Sequence, residues 1–143
     1  RAIIPTIISQ LLNGKTDIEL GNFTPTRDLT FVEDTCLAFE EIYKSDSLFG
    51  EITNIGTKSE ISINDLALLI AKTMNVDLTI SSIKERKRPK NSEVERLVCN
   101  NDKLLKHTTW KQKYTLEKGI KKVIEWMKTA ENFSMYKAEQ YNV

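Results

Sequence analysis

Histidine is nearly absent from this chain, one in 143 residues, and the two cysteines, Cys36 and Cys99, stand far apart. That set cannot supply the four closely spaced ligands of a structural zinc site. It gives no disulfide framework either, and two thiols of this kind suit a reducing cytoplasm. Glycine is scarce. Gly14, Gly21, Gly50, Gly56 and Gly119 never fall into the G-x-x-G-x-x-G pattern that cradles a dinucleotide phosphate. No apolar run approaches the roughly 18 residues of a membrane-spanning helix. A net charge of +1 provides no global field for nucleic acid or a lipid surface. The chain opens Arg1-Ala2-Ile3-Ile4-Pro5, with neither a secretory leader pattern nor a methionine. Such a start reads as that of a fragment or a processed chain.

What is present is ordinary for a globular domain: 40% hydrophobic and 29% charged residues. Ile3, Ile4, Ile7, Ile8, Leu11 and Leu12 recur at helical spacing, with Gly14 as the stop. Asp17–Gly21 alternates as a short strand. A helix over about Glu33–Lys44 is predicted to turn Cys36, Phe39, Ile42 and Tyr43 inward, leaving Cys36 a buried thiol. Glu51–Ile55 reads as a strand. Ser62-Ile63-Asn64-Asp65 is a capping pattern before a helix burying Ile63, Leu66, Ala67, Ile70 and Met74, with Asn75 as a left-handed terminator. Leu78–Ile80 reads as a further strand. A last helix covers about Leu116–Met127, and residues 131–143 form a polar tail, frayed or disordered.

Two stretches stand out chemically. Thr26–Asp34, Thr-Arg-Asp-Leu-Thr-Phe-Val-Glu-Asp, reads as a strand at Leu29–Val32 running into a helix with Glu33 and Asp34 in its first turn. Arg27, at the mouth of that strand just after Pro25, is held where a planar guanidinium can grip a phosphate. An exposed arginine paired with Asp28 or Glu33 is the plainer alternative. Lys84–Lys90 carries five basic residues in seven. It lacks the interleaved aromatics that stack nucleic-acid bases, so a solvated loop or an anion grip remains.

The ordered set Arg27-Asp28, Asn54-Ile55-Gly56, Arg88-Pro89, Ser92-Glu93-Val94, Trp110 and the closing helix resembles the later half of the extended short-chain dehydrogenase/reductase family. These are NAD-dependent sugar-nucleotide epimerases and dehydratases. The closest look is to the 4,6-dehydratases of nonulosonic (legionaminic) acid pathways. The resemblance runs to about Met127, with Asn100-Asn101-Asp102-Lys103 and Thr108-Thr109-Trp110 as departures. It implies an α/β fold of short strands and several amphipathic helices: the C-terminal substrate-binding part of such an enzyme, over residues 1–130, without the main Rossmann half.

By that resemblance Arg27 and Arg88 clamp the diphosphate of a nucleoside-diphosphate sugar from two sides. Ile18 and Leu20 flank its base or ribose, although either could simply fill core. Asn54-Ile55-Gly56 would end a strand of the cofactor domain's parallel sheet. No residue here is expected to be catalytic, to bind cofactor or to bind metal. NAD is expected in the intact enzyme, bound by the absent N-terminal half, which is the expected partner together with a second subunit of a homodimer. The intact enzyme would oxidise the sugar at C4, eliminate water across C5–C6 and return the hydride to C6, or invert C4; a non-catalytic nucleotide-sugar-binding module is the other alternative. Tyr114-Thr115-Leu116-Glu117-Lys118 fits the family's catalytic Tyr-x-x-x-Lys by letter but lies far from where the family places it. It reads as a decoy, with Thr115 a helix cap. The chain made alone is expected to be inactive, and to self-associate through the surfaces its missing half would cover.

Overall fold

A computed structural model describes residues 2–83 and 94–136. The first helix, α1 (Ile3–Leu12), ends at Gly14, whose φ of +78° is the left-handed conformation that glycine adopts without strain. β1 (Asp17–Leu20) alternates exposed and buried, so Ile18 and Leu20 both face the core. Its partner is β4 (Thr79–Ser82), parallel to it in the register Asp17 to Thr79. A second sheet centres on β2 (Thr26–Arg27). There β3 (Ile61–Ser62) runs antiparallel on one side and β5 (Arg96–Leu97) parallel on the other.

The capping pattern at Ser62 is realised. Its hydroxyl accepts from Asp65 N at 3.0 Å and starts α3 (Ile63–Met74), which Asn75 ends at φ +58°. Likewise Thr115 caps α5 (Leu116–Met127), accepting from Lys118 N at 3.3 Å. The helices α1, α3 and α5 pack on one another and on β1. Their core is Ile7, Ile8, Ile18, Leu66, Ile70, Ile120 and Met127. Fully burying side chains of this size contributes about 1.5–3 kcal/mol each, which is what holds the three helices together. A smaller cluster joins α2 (Val32–Tyr43) to α4 (Asp102–His107) through Ala38, Leu104 and Trp110. A short helix, α6 (Ala130–Ser134), opens the polar tail.

Three readings are corrected. The strand expected at Leu29–Val32 is confined to Thr26–Arg27, because the ladders to β3 and β5 end there and Val32 already belongs to α2. No ladder forms at Glu51–Ile55 among the described residues. A strand needs a neighbour to take its N–H and C=O groups, and Ile52 is 88% exposed. The face of α2 is also turned from the expected one, although Ile42 packs inward as expected. Asp34 and Ala38 are buried, while Cys36 is exposed and Phe39 and Tyr43 are 64% and 80% exposed. With Val32, these three form an apolar stripe at i, i+4, i+7 and i+11 that no described residue covers.

Candidate functional site

Arg27 lies at the wall of a cleft of about 590 Å³. The other walls come from the start of α1 (Ile3, Ile4), the end of β1 (Leu20 to Asn22) and the start of α5 (Tyr114 to Leu116). Arg27 is the one charged side chain among the described residues lining it. Its Nη1 donates to Thr26 O and to Val94 O, both at 2.7 Å. Those contacts to carbonyls orient the guanidinium. An anion entering a largely apolar cleft beside it would be less screened than in water.

Leu20 reaches this cleft, whereas Ile18 is fully buried behind it and lines none of it. Both are core residues, Leu20 2% and Ile18 0% exposed, and Leu20 also borders the cleft. Arg88 lies outside the described residues, so the geometry brings together only Arg27 and Leu20 of the four expected binding residues.

Two carboxylates that the sequence showed only as motif letters tie the segments around the cleft together. Asp34 is fully buried and bridges 79 residues of sequence: Oδ1 accepts from Lys113 N at 2.8 Å and Oδ2 from Tyr114 N at 3.1 Å. Its carbonyl accepts from the indole Nε1 of Trp110 at 2.9 Å. Those bonds seat the segment that leads into α5. Asp28 accepts from Thr57 N, Thr57 Oγ1, Lys58 N and Cys99 N at 2.6–3.2 Å. Burial, then the Asp28 charge, pushes the Cys99 thiol up and makes it less reactive. The one sequence signal for Asp34 was a charged residue in line with Ala38, at i+4, on a face that proves to be inner.

Aromatic packing finishes the cleft. Phe31 and Tyr114 stack with centroids 4.7 Å apart, and Phe31 lies on Gly119, where a Cβ would come within 3.1–3.3 Å of it. Tyr114 donates to Glu33 Oε2 at 2.5 Å, and Lys122 bonds Glu33 Oε1 at 3.1 Å. The Glu33 hydrogen bond, ahead of burial, pushes the Tyr114 phenol up. A proton-abstracting tyrosine needs the opposite shift, and the lysine over its ring is Lys122, 5.1 Å from the centroid, rather than Lys118.

The sequence matches the family described as GDP-mannose 4,6 dehydratase over residues 1–123. It is 32% identical over 124 residues to the trifunctional UDP-glucose 4,6-dehydratase/UDP-4-keto-6-deoxy-D-glucose 3,5-epimerase/UDP-4-keto-L-rhamnose-reductase RHM1 of Arabidopsis thaliana. That match covers 87% of this chain and 18% of that protein. The human dTDP-D-glucose 4,6-dehydratase is 29% identical over 138 residues, covering 94% of this chain and 38% of the relative. A Bacillus cereus UDP-glucuronic acid 4-epimerase, solved with UDP-4-deoxy-4-fluoro-glucuronic acid and NAD, superposes with a TM-score of 0.79. It is 23% identical and covers 94% of this chain and 40% of its own. The chain thus spans about a fifth to two fifths of the proteins it matches.

Proposed function

The chain belongs to the GDP-mannose 4,6-dehydratase family within the extended short-chain dehydrogenase/reductases, and on that premise we propose that it is the substrate-binding half of an NAD-dependent nucleotide-sugar 4,6-dehydratase. The observation that carries this reading is Arg27, the one charged side chain among the described residues lining a mostly apolar, ligand-sized cleft. Arg27 grips the diphosphate of a nucleoside-diphosphate sugar, with Arg88 as the second arm of the clamp. Leu20 packs against the base or ribose, and Ile18 supports Leu20 from the core. A 4-epimerase is the second reading, supported by 30% identity over 126 residues to a putative UDP-glucose 4-epimerase of Methanocaldococcus jannaschii. Both reactions begin by taking hydride from C4 of the sugar.

The chain's own residues do not fit NAD. A dinucleotide needs a glycine-rich turn at a helix start, and the two glycines at the cleft are Gly21, at a strand end, and Gly119, inside α5. NAD and the proton-transfer residue therefore belong to a partner segment of the same enzyme. The stripe Val32, Cys36, Phe39 and Tyr43 and the unladdered Glu51–Ile55 support that reading, since an apolar face and an open backbone edge are what a sheet-bearing partner would cover.

Thermal shift with UDP-, dTDP- and GDP-glucose against free glucose tests the binding role. At least one nucleotide sugar should raise the melting temperature while glucose does not. No shift with any of the three in a folded chain refutes it. In the reassembled enzyme, NMR of the product separates a 4-keto-6-deoxy sugar from a C4 epimer.

A further inference from the structure

We propose that Asp28 is a positioning residue, whose carboxylate fixes Arg27 at the cleft by tying the Gly56–Lys58 turn and the end of β5 to the end of β2. The inference rests on the reading of Arg27 as the diphosphate grip.

The need for such a tie follows from the shortness of the sheet. β2 has two residues and two ladder pairs on each side, far below the usual five or six of a strand. Yet one of the two carbonyls that orient Arg27 is that of Val94, two residues before β5. If β5 drifts along β2, Val94 O drifts with it and the guanidinium loses one of the contacts that orient it. Asp28 follows Arg27 directly and, by the alternation of an extended chain, points away from it; it is not among the residues lining the cleft. From that opposite side it accepts bonds from two segments at once.

One segment is the turn. Thr57 N and Oγ1 reach Oδ1 at 3.0 and 2.6 Å, and Lys58 N reaches Oδ2 at 2.9 Å. The other is the end of β5, where Cys99 N reaches Oδ2 at 3.2 Å, beyond the ladder bond from Asp28 N to Leu97 O at 2.9 Å. The turn is shaped for this. Lys58 holds a left-handed φ of +60°, and Asn101 Nδ2 fixes Gly56 O at 2.7 Å. A Cβ on Gly56 would stand 2.2 Å from Cys99 Cβ and 3.1 Å from Asp28 Oδ2, so only glycine lets the two segments close on one carboxylate. Asp28 thereby acts on the ligand through Arg27 rather than by touching it.

The test pairs a spectroscopic readout of Arg27 with nucleotide titration of the 143-residue chain. The ¹⁵N–¹H signals of the Arg27 guanidinium are assigned through Arg27→Lys, and UDP, GDP and dTDP are titrated beside their nucleosides. In Asp28→Asn the Arg27 signals should move to the positions of an exposed arginine. Affinity for the diphosphate that binds best should fall tenfold or more, with less than a twofold change for its nucleoside. Thr57→Val, which removes the Oγ1 donor to Asp28 and the acceptor of Ser59 N but leaves the Thr57 and Lys58 amides in place, should shift both readouts the same way by a smaller amount, and decides the question if Asp28→Asn does not fold. Unmoved Arg27 signals in a folded Asp28→Asn or Thr57→Val chain overturn the proposal, as does equal weakening of nucleotide and nucleoside. Should Arg27→Ala bind all three nucleotides as wild type does, the diphosphate reading fails instead. The coupling of Asp28 to Arg27 is then decided by the guanidinium signals alone.

Discussion

Replacing Asp34 by alanine should be the most damaging single change outside the apolar core. The carboxylate is fully buried and accepts two backbone N–H bonds, from Lys113 at 2.8 Å and Tyr114 at 3.1 Å. Hydrogen bonds to a charged group contribute about 1.5–3 kcal/mol each, so their loss costs about 3–6 kcal/mol. Relief from burying a carboxylate offsets part of that. A net loss of about 2–4 kcal/mol remains, which for a chain of this size lowers the melting temperature by roughly 2–4 °C per kcal/mol. Asp34→Asn keeps one acceptor but turns an NH₂ toward a second N–H, so it should recover only part of the loss. Urea unfolding gives the free energy. Amide exchange at Lys113 and Tyr114 shows whether the damage starts at that segment. A loss under about 0.5 kcal/mol, or unchanged exchange at those two amides, would refute the argument that the carboxylate seats the start of α5.

Four further outcomes are expected. In the reassembled enzyme, Arg27→Ala should raise KM for the nucleotide sugar about 10- to 100-fold and lower kcat much less, because ground and transition states share the diphosphate; steady-state kinetics reads the split. Gly56→Ala should destabilise by about 1–3 kcal/mol or more, and calorimetry should show partial rescue by adding Cys99→Gly but none by Cys99→Ala, which keeps the clashing Cβ. The Arg96 guanidinium, then the Thr26 hydroxyl, holds the Glu60 carboxyl below its ordinary value of 4.5. That stabilisation is complete above the ordinary value and is lost as pH falls through the lowered one, so the difference in urea midpoint between wild type and Glu60→Gln should be present at pH 7 and shrink below about 4.5. Finally, the chain alone should self-associate through the α2 stripe, and Phe39→Lys should reduce the association seen by sedimentation.

The helices of the core were legible because they carry their own signals. In α1, α3 and α5 the apolar spacing, the caps at Ser62 and Thr115 and the stops at Gly14 and Asn75 agree with one another, and each acts within a few residues. The errors fall where the deciding partner is distant. Periodicity marked an apolar face on α2 but not what that face meets. Asp34 is drawn inward by amides about 80 residues away, which leaves Cys36, Phe39 and Tyr43 outside. Glu51–Ile55 has strand composition without a neighbour to pair with. At the site, Arg27 was legible from its motif. The work of Asp28 was not, because nothing in the sequence ties residue 28 to residues 57, 58 and 99 before the chain has folded.

The long reach of Asp34 also sets an order of events during translation. Chains emerge N-terminus first, at about 5–20 residues per second. Arg27 and Leu20 leave the ribosome before the wall that faces them, Tyr114 to Val123, which is made about 90 residues later. For several seconds the nascent chain carries the arginine without a cavity to put it in. If the cleft is the nucleotide-sugar site proposed above, nucleotide should not be retained before α5 has docked. Docking of α5 is therefore the step that completes the cleft, and on the proposed reading a ribosome stalled before Tyr114 should hold a chain that no nucleotide sugar protects from protease.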